Sequence, residues 1–432
     1  MPATIFTDDV RFQPYWWDAA PCLEETPPAL PAKADVVVVG AGYTGLSAAL
    51  TCARGGRHVV VLDANALGEG ASSRNAGFVG RTFTLGFTEL CEKAGLDAAK
   101  AVYRHGDHAF DYVAHLIENE QIHCLFSRTG RFTGANTPGH YDDMARDAEA
   151  LRKHLGTEVE MVPRSEQHRE IGVDSFHGGQ LMLGDAGLHP AMFHQGLLER
   201  TRAAGATIAG HTPMTSIVRD GDDFTVTTPR GSIRARHVVI ATNGQTGAVT
   251  PWLRRRLVSV GAYAVATEPQ SPEVMAQIFP SGRLTIDSGK MKYFCRPSPD
   301  GSRVLFGGRA FFGGDNYQVT ATGLQRAMVR RFPMLEGVRL SHGWGGRVAF
   351  SFDRLPHHGN HDGMHYAMGY CGAGLPKGTY LGHKTALDIL GEKDTTTPFT
   401  DTPFPTLPFY NGWPWFVPAL SVYYLLRDRL ER

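Results

Sequence analysis

The 432-residue chain has no net charge, since 43 Lys and Arg balance 43 Asp and Glu. No global field would therefore draw nucleic acid to it. Its six cysteines (Cys22, Cys52, Cys91, Cys124, Cys295 and Cys371) contain no CxxC pair. That argues against a zinc site or a disulfide framework and suits a reducing compartment. No apolar run reaches membrane-spanning length. The opening MPATIFTDDV lacks the basic and apolar regions of a secretory signal. Repeats and low-complexity tracts are missing too. The expectation is a cytoplasmic enzyme of two or three domain-sized units. Its 42% hydrophobic and 20% charged residues are ordinary for such a chain.

What the chain does have begins at 35–47, Asp35-Val-Val-Val-Val-Gly-Ala-Gly-Tyr-Thr-Gly-Leu-Ser. The β-branched run 36–39 predicts a strand buried on both faces, hence a parallel sheet. It ends in Gly40-x-Gly42-x-x-Gly45, and 44–54 predicts a helix rich in Ala and Leu. Gly40 permits the tight turn, Gly42 lets the backbone approach a pyrophosphate, and Gly45 lets helix and strand pack closely. The helix N-terminus presents unpaired N–H groups and a positive dipole end to phosphate. A second strand, 58–63, ends in Asp63, about 20 residues on, where a ribose hydroxyl needs an acceptor. Strand, glycines, helix, strand and acid in one ~30-residue unit predict a bound dinucleotide.

Two further glycine loops follow. The first, 68–77, can run its backbone against a flat ligand with N–H groups free to donate. NAD dehydrogenases do not usually need such a second loop; FAD enzymes, which also grip a tricyclic ring, do. The other, 369–378, opens a helix to about residue 390. Its dipole end suits the flavin N1–C2=O edge, where negative charge gathers on reduction.

Between the loops, 11–34 reads as an extended aromatic arm, with Tyr15, Trp16 and Trp17 packed on a neighbour. Helices are predicted at 97–120, at 138–155 (closed by Gly156) and at 190–204. A hairpin is predicted at 125–133, and strands at 215–219, 224–228, 232–235 and 237–242. Residues 251–340 alternate strands with polar turns and close with a helix at 320–332, as an antiparallel sheet of a second domain would. The segments 344–350 and 364–369 are expected to return to the nucleotide domain. His357, His358, His361 and His365 with Asp362 are interrupted by Gly359 and Gly363, and read as a solvated loop, not a metal site. Residues 413–430 read as an aromatic, then basic, helix packed on the core.

Together these features resemble the D-amino-acid oxidase superfamily of FAD-dependent amine and amino-acid oxidoreductases, with a likeness to its γ-glutamylputrescine oxidoreductase branch. The residues that carry the resemblance are VVVVGAGYTGLSAAL at 36–50, GEGASSRNAGF at 68–78, GLHP at 187–190, GWGGRVAFSFDRLP at 343–356 and GYCGAGL at 369–375. It implies an α/β fold with a Rossmann-like, GR2-type FAD-binding domain made from 31–85, 185–250 and 340–395. A discontinuous antiparallel-sheet substrate domain, 86–184 and 251–339, would roof the flavin. An N-terminal arm, 1–30, and a tail with a terminal helix, 396–432, complete the chain. The reaction implied is oxidation of the C–N bond of a small amine, a polyamine derivative or N-alkyl amine. Hydride passes to flavin N5, the imine hydrolyses, and molecular oxygen or another acceptor takes the electrons. Carried onto this chain, the cofactor contacts are Gly40, Gly42, Tyr43, Thr44, Gly45, Asp63, Ala64, Gly70, Ala71, Ser72, Ser73, Arg74, Asn75, Ala76 and Gly77. Further along they are Ile217, Ala241, Thr242, Asn243, Gly244, Gly346, Gly369, Gly372, Gly374, Leu375, Pro376 and Lys377.

Departures from the family pattern sharpen the expectation. Sarcosine-oxidase relatives tether FAD through a cysteine seven residues before the aspartate matching Asp353; that position is Gly346, and 68–80 holds no histidine. FAD should be non-covalent. Glycine and D-amino-acid oxidases clamp the substrate carboxylate with the arginine of a W-x-G-x-R-P run. Counted from Trp344 that arginine falls on Val348, and Arg347, one residue early, would point to the opposite face of a strand. An amine without an α-carboxylate is favoured. The alternative is an oxidase of D-amino acids, glycine or sarcosine, clamped by Arg74, Arg296 or Arg347. A NAD-dependent dehydrogenase or a nucleotide sensor would use the first loop alone. The oxygen-activating lysine of sarcosine oxidases falls on Leu305.

The chemistry itself asks little of the side chains. The amine must be neutral, which burial under an apolar roof favours, and positioning does most of the rest. Catalytic candidates are Arg74, Asn75, Tyr293, Arg296 and Lys377. The resemblance sets Arg74 and Asn75 beside the isoalloxazine, matches Tyr293 to a substrate-side tyrosine, and puts Lys377 one residue past a substrate lysine. On their strand, Tyr293 and Cys295 should share one face, and Phe294 and Arg296 the other. Cys371 reads as a small spacer.

Overall fold

The computed structural model describes residues 5–308, 316–393 and 395–430. Residues 1–4 of the opening stretch and 309–315 of the expected second sheet lie outside them. The strand Lys33–Val39 is central to an eight-stranded sheet, parallel to Val59–Leu62 on one side and to Gly231–Ile240 on the other. Its valines serve two cores. Val36 and Val38 pack with Leu46, Ala49 and Leu50 of the helix Tyr43–Arg54, while Val37 and Val39 pack with Val226, Ile233 and Leu253. A period of two on a sheet covered on both faces produces this division. Thr207–Ala209 extends the sheet past Val59–Leu62.

Gly231–Ile240 is one strand where the sequence suggests two. Its first half pairs antiparallel with Asp223–Thr228, and its last residues pair parallel with Met364–Met368. Pairing to Lys33–Val39 keeps one register from Arg234 to Ile240 and so carries it straight through His237.

The second sheet has nine strands, in the order Phe6–Arg11, Leu340–Phe350, Val258–Thr267, Val304–Gly308, Tyr293–Pro297, Leu284–Asp287, Arg131–Gly134, Gly179–Met182 and Val159–Val162. Leu340–Phe350 thus belongs here and not in the nucleotide sheet: it is registered antiparallel to Val258–Thr267 from Val258↔Phe350 to Thr267↔Leu340. Nor is 125–133 a hairpin. Arg131–Gly134 instead finds its partners in Leu284–Asp287 and Gly179–Met182. Both corrections have one cause: the backbone groups of a short strand must be paired, and here the partners are remote in sequence.

The two faces of this sheet carry side chains of different size. Val265, Cys295 and Phe306 pack with Leu324 and Met328 of the helix Tyr317–Arg331. On the other face the small residues Ala264 and Ala266 make room for Trp344 and for Trp16, which is 1% exposed. Trp16 lies in a 3-10 turn, Tyr15–Asp18, and also packs against Ala191 of the helix Pro190–Ala203. The aromatic arm is thereby wedged between the second sheet and the nucleotide unit.

The histidine cluster is a hairpin, His357–His361 with Met364–Met368, and not a solvated loop. His357 and His358 are buried, and His357 Nε2 lies 3.0 Å from Asp353 Oδ2. No cluster of His, Cys, Asp and Glu among the described residues could hold a metal. The terminal helix is Val417–Leu430. Tyr410, Phe416 and Val417 pack on Val258 and Val260, but Trp413 and Trp415 stay 66% and 58% exposed. Among the described residues no helix is long and apolar enough to cross a membrane.

Candidate active site

The loops after residues 39, 62, 240 and 368 leave the carboxyl ends of parallel strands, where open α/β sheets bind ligands. Gly40 has φ +107°, and a Cβ there would lie 2.9 Å from Ala241 O. A Cβ on Gly45 would lie 1.9 Å from Gly40 O, so turn and helix touch through missing side chains. The Ala41 peptide is held from both sides. Its N–H donates to Asp63 Oδ2 at 2.8 Å, and its carbonyl accepts from His194 Nε2 at 2.7 Å. Burial lowers the His194 pKa, keeping the ring neutral with its proton on Nε2.

The other loops close around this turn. Tyr43 N–H donates to Ser72 Oγ at 3.0 Å, and Asn75 Nδ2 reaches Tyr43 OH at 3.3 Å. Asn75 also shapes its own loop, its Oδ1 accepting the Gly77 N–H at 2.8 Å. Ser73 is buried between Trp17 Nε1, at 2.9 Å, and Gly68 O. Thr44 Oγ1 and Tyr370 OH are 2.8 Å apart, joining the first loop to the last. Asn243 Oδ1 accepts the Gly369 N–H at 3.0 Å, joining the turn 241–244 to the same loop.

Arg74 reaches across to the second sheet. It donates to Gly345 O at 2.7 Å, its own carbonyl accepts from Trp344 Nε1 at 3.0 Å, and its guanidinium lies 4.9 Å from the Trp17 ring. A Cβ on Gly346 would come within 3.0 Å of Arg74 Cδ, so the arginine passes because residue 346 has no side chain. Arg74 Nε is buried without a hydrogen-bond partner among the described residues. An unpaired buried donor costs on the order of 1–3 kcal/mol, which an acceptor on a bound ligand would recover. Arg296 is buried as well, donating to Ala76 O at 3.0 Å and Leu188 O at 3.1 Å; burial pulls its pKa down to about 10.

Three candidates stand elsewhere. Phe294 meets Phe78 edge-on at 5.8 Å on the loop-facing side of its strand, but Tyr293 stacks on Phe306 at 5.3 Å on the helix-covered side. Strand alternation sends Tyr293 into sheet packing. Ile217 is half-buried on Ser216–Asp220, the outermost strand of its sheet. Lys377, 0% exposed, donates to Gly80 O at 2.7 Å and Thr82 O at 2.8 Å. It braces the helix Gly374–Leu390 against the chain that follows the short strand Phe78–Val79.

Burial pulls the Lys377 pKa down to about 7, well below that of a free lysine. Between the two values the unfolded chain holds a proton that the folded chain has released, so this group makes stability rise with pH. From pH 7.5 to 9.5 the thermal midpoint of the native chain should rise relative to that of Lys377→Met. Parallel curves would show that the amine is charged in the fold.

Register also decides which side of Leu340–Phe350 faces the loops. Trp344 and Gly346 face Arg74, and Val348 follows on the same side, 3.8 Å from a Cβ placed on Gly372. Gly345 faces the opposite way, toward Tyr263 and Tyr317; Arg347 follows it, its side chain exposed and its Cβ 3.5 Å from a Cβ placed on Gly244 of the turn 241–244. Sequence reasoning passed over His194 and Tyr370, whose partners Ala41 and Thr44 are 153 and 326 residues away. No local pattern announces such pairs.

A family profile described as "DAO: FAD dependent oxidoreductase" matches residues 35–387. The chain belongs to the DAO family of FAD-dependent oxidoreductases. It is 30% identical to "Probable oxidoreductase OrdL" of Rhizobium meliloti (strain 1021), over 96% of this chain and 97% of that one. It is 27% identical to "Gamma-glutamylputrescine oxidoreductase" of Escherichia coli (strain K12), over 92% and 93%. Among solved structures, glycine oxidase from Geobacillus kaustophilus superimposes with a TM-score of 0.69 at 20% identity, over 88% of this chain and 99% of that one. That likeness shows the fold, α/β with a nucleotide-binding sheet and a second sheet. This DAO-family enzyme is a flavoprotein, and its loops fit the cofactor. A Cβ on Gly42 would meet only Ser72 Oγ, at 3.0 Å, which leaves the backbone open to close approach, and Arg74 Nε lacks an acceptor.

Proposed function

We propose that this enzyme oxidises the C–N bond of a small amine, a polyamine derivative or N-alkyl amine, using non-covalently held FAD. Gly40, Gly42 and Gly45 would hold the pyrophosphate at the N-terminus of the helix Tyr43–Arg54. Asp63, bonded to the Ala41 and Asn65 N–H groups, keeps lone pairs for a ribose hydroxyl. The segment 70–77, with Arg74 and Asn75, would border the isoalloxazine, together with Gly346 and the loop 369–376. When bound, FAD supplies the hydride acceptor. The chain's own part is to hold the amine against the apolar face of Trp344 and Val348, where low polarity favours the neutral nitrogen.

The observation that favours an amine over an amino acid is that Val348 faces Gly372, while Arg347, one residue earlier, is exposed. The name of the Escherichia coli relative agrees with this choice. An amino-acid oxidase is the second reading, and the unpaired Nε of Arg74 favours it. Electrons would pass to molecular oxygen or another acceptor. Six free cysteines suit a cytoplasmic setting.

The test is anaerobic flavin reduction. Aliphatic amines should bleach the yellow protein, whereas glycine, sarcosine and D-alanine should not. Bleaching by the amino acids alone would replace this reading with the second. Prompt return of colour in air would identify oxygen as the acceptor, and its absence another carrier.

A further inference from the structure

A cavity of about 280 Å³ opens between the aromatic arm and the second sheet, outside the loops described above. That is several times the roughly 30 Å³ share of one water molecule. Its lining includes Tyr15 and Asp18 of the arm, His189 and Met192 at the start of the helix Pro190–Ala203, and Asp300. Trp16 touches groups on both sides: the His189 ring of the lining is 4.9 Å from it, and the Arg296 guanidinium beside the loop 68–77 is 5.3 Å away.

Its polar groups are of two kinds. His189 is 2% exposed. Its Nδ1 accepts the Met192 N–H at 3.2 Å, capping the helix. Burial pulls its pKa down to about 4, so the neutral ring carries its proton on Nε2. No residue among those described accepts a hydrogen bond from that N–H, and His189 is one of the residues that line the cavity. A donor on a largely buried ring, open only to the cavity, is suited to an oxygen acceptor bound there. The carboxylates are at the rim. Asp18 is engaged by Arg11 at 2.8 Å and lies 3.1 Å from His342 Nε2. Asp300 is bonded to the Ser298 hydroxyl and to the Ser302 hydroxyl and N–H, all neutral donors. Among the described residues it has no ion-pair partner.

We infer that this cavity is a second binding site, separate from the flavin-facing loops, for an aliphatic ammonium whose other end carries a carbonyl or hydroxyl oxygen. The ammonium sits between Asp300 and the Tyr15 ring at the rim. The oxygen takes the His189 Nε2 proton at the floor, and the methylenes lie against Met192. The inference does not depend on which amine is oxidised.

The test uses the holoenzyme with its flavin photoreduced, so that no turnover intervenes, titrated calorimetrically with 4-aminobutanamide. Binding is expected without change in the flavin spectrum. Asp300→Asn should weaken it about tenfold, the scale of one charge-assisted contact. Met192→Trp, which fills the cavity, should abolish it, and n-butylamine, lacking the oxygen, should bind about tenfold more weakly. Flavin content, unchanged in both variants, checks that they fold. Absence of heat up to about 10 mM, or affinity unmoved by either variant, would overturn the inference.

Discussion

Gly45→Ala is expected to yield a folded but nearly colourless protein. The new methyl would lie 1.9 Å from Gly40 O, far inside van der Waals contact. The helix Tyr43–Arg54 has no room to retreat. On its other side a Cβ on Gly382 would already be 2.1 Å from Thr44 O, so the helix Gly374–Leu390 rests against its backbone. The turn must therefore give way. The Ala41 peptide then loses its alignment between Asp63 and His194, and the N–H groups at the helix start lose theirs toward a pyrophosphate. Overpacking of this kind costs about 1–3 kcal/mol, less than the stability of an ordinary domain, so the fold should survive. The readout is the ratio of visible flavin absorbance to protein absorbance. It should fall below about a tenth of the native value, with far-ultraviolet circular dichroism unchanged. A native ratio would mean that the close contact of Gly45 with Gly40 is not what shapes the site.

Those parts of the molecule fixed by local constraint were legible in the sequence. The strand–turn–helix at 33–54 follows from valines with a period of two, a Gly at φ +107° and a helix start, all within a short segment. Face parity was legible for the same reason: Phe294 and Arg296 on one side, Tyr293 and Cys295 on the other, follow from the pleat alone. Which face meets the loops was not: Tyr293, matched by resemblance to a substrate-side tyrosine, packs on Phe306 on the helix-covered side. The sheet that receives Leu340–Phe350 was equally hidden. That strand reads Gly343-Trp344-Gly345-Gly346 where a core pattern would be, and its partner, Val258–Thr267, is far away in sequence. Its glycines make sense only beside Arg74, Tyr263 and Tyr317, whose side chains occupy the space. Likewise the histidines at 357–365 look solvent-bound in isolation, yet Asp353 and Thr400 receive two of them in the interior.

The alternation of side chains along Leu340–Phe350 also supports an engineered change of substrate. Val348→Arg should convert the enzyme toward amino acids. Val348 lies on the side of its strand that carries Trp344 and Gly346, opposite Gly372, whose lack of a side chain leaves space for a longer neighbour. A guanidinium there can grip a carboxylate through two parallel hydrogen bonds. Relative to the amine left by decarboxylation, kcat/KM for the amino acid should rise roughly 10- to 100-fold, the discrimination expected of one well-placed polar contact. Without substrate the new charge is half-buried and unpaired, so the thermal midpoint should fall and then recover when a carboxylate ligand is added. Arg347→Ala is the control. Arg347 has its side chain exposed to solvent, so its loss should leave the amino-acid to amine ratio where it was. If instead the Arg347 variant lowers that ratio and the Val348 variant leaves it unchanged, the opposite face of the strand meets the substrate, and the preference for an amine loses its structural basis.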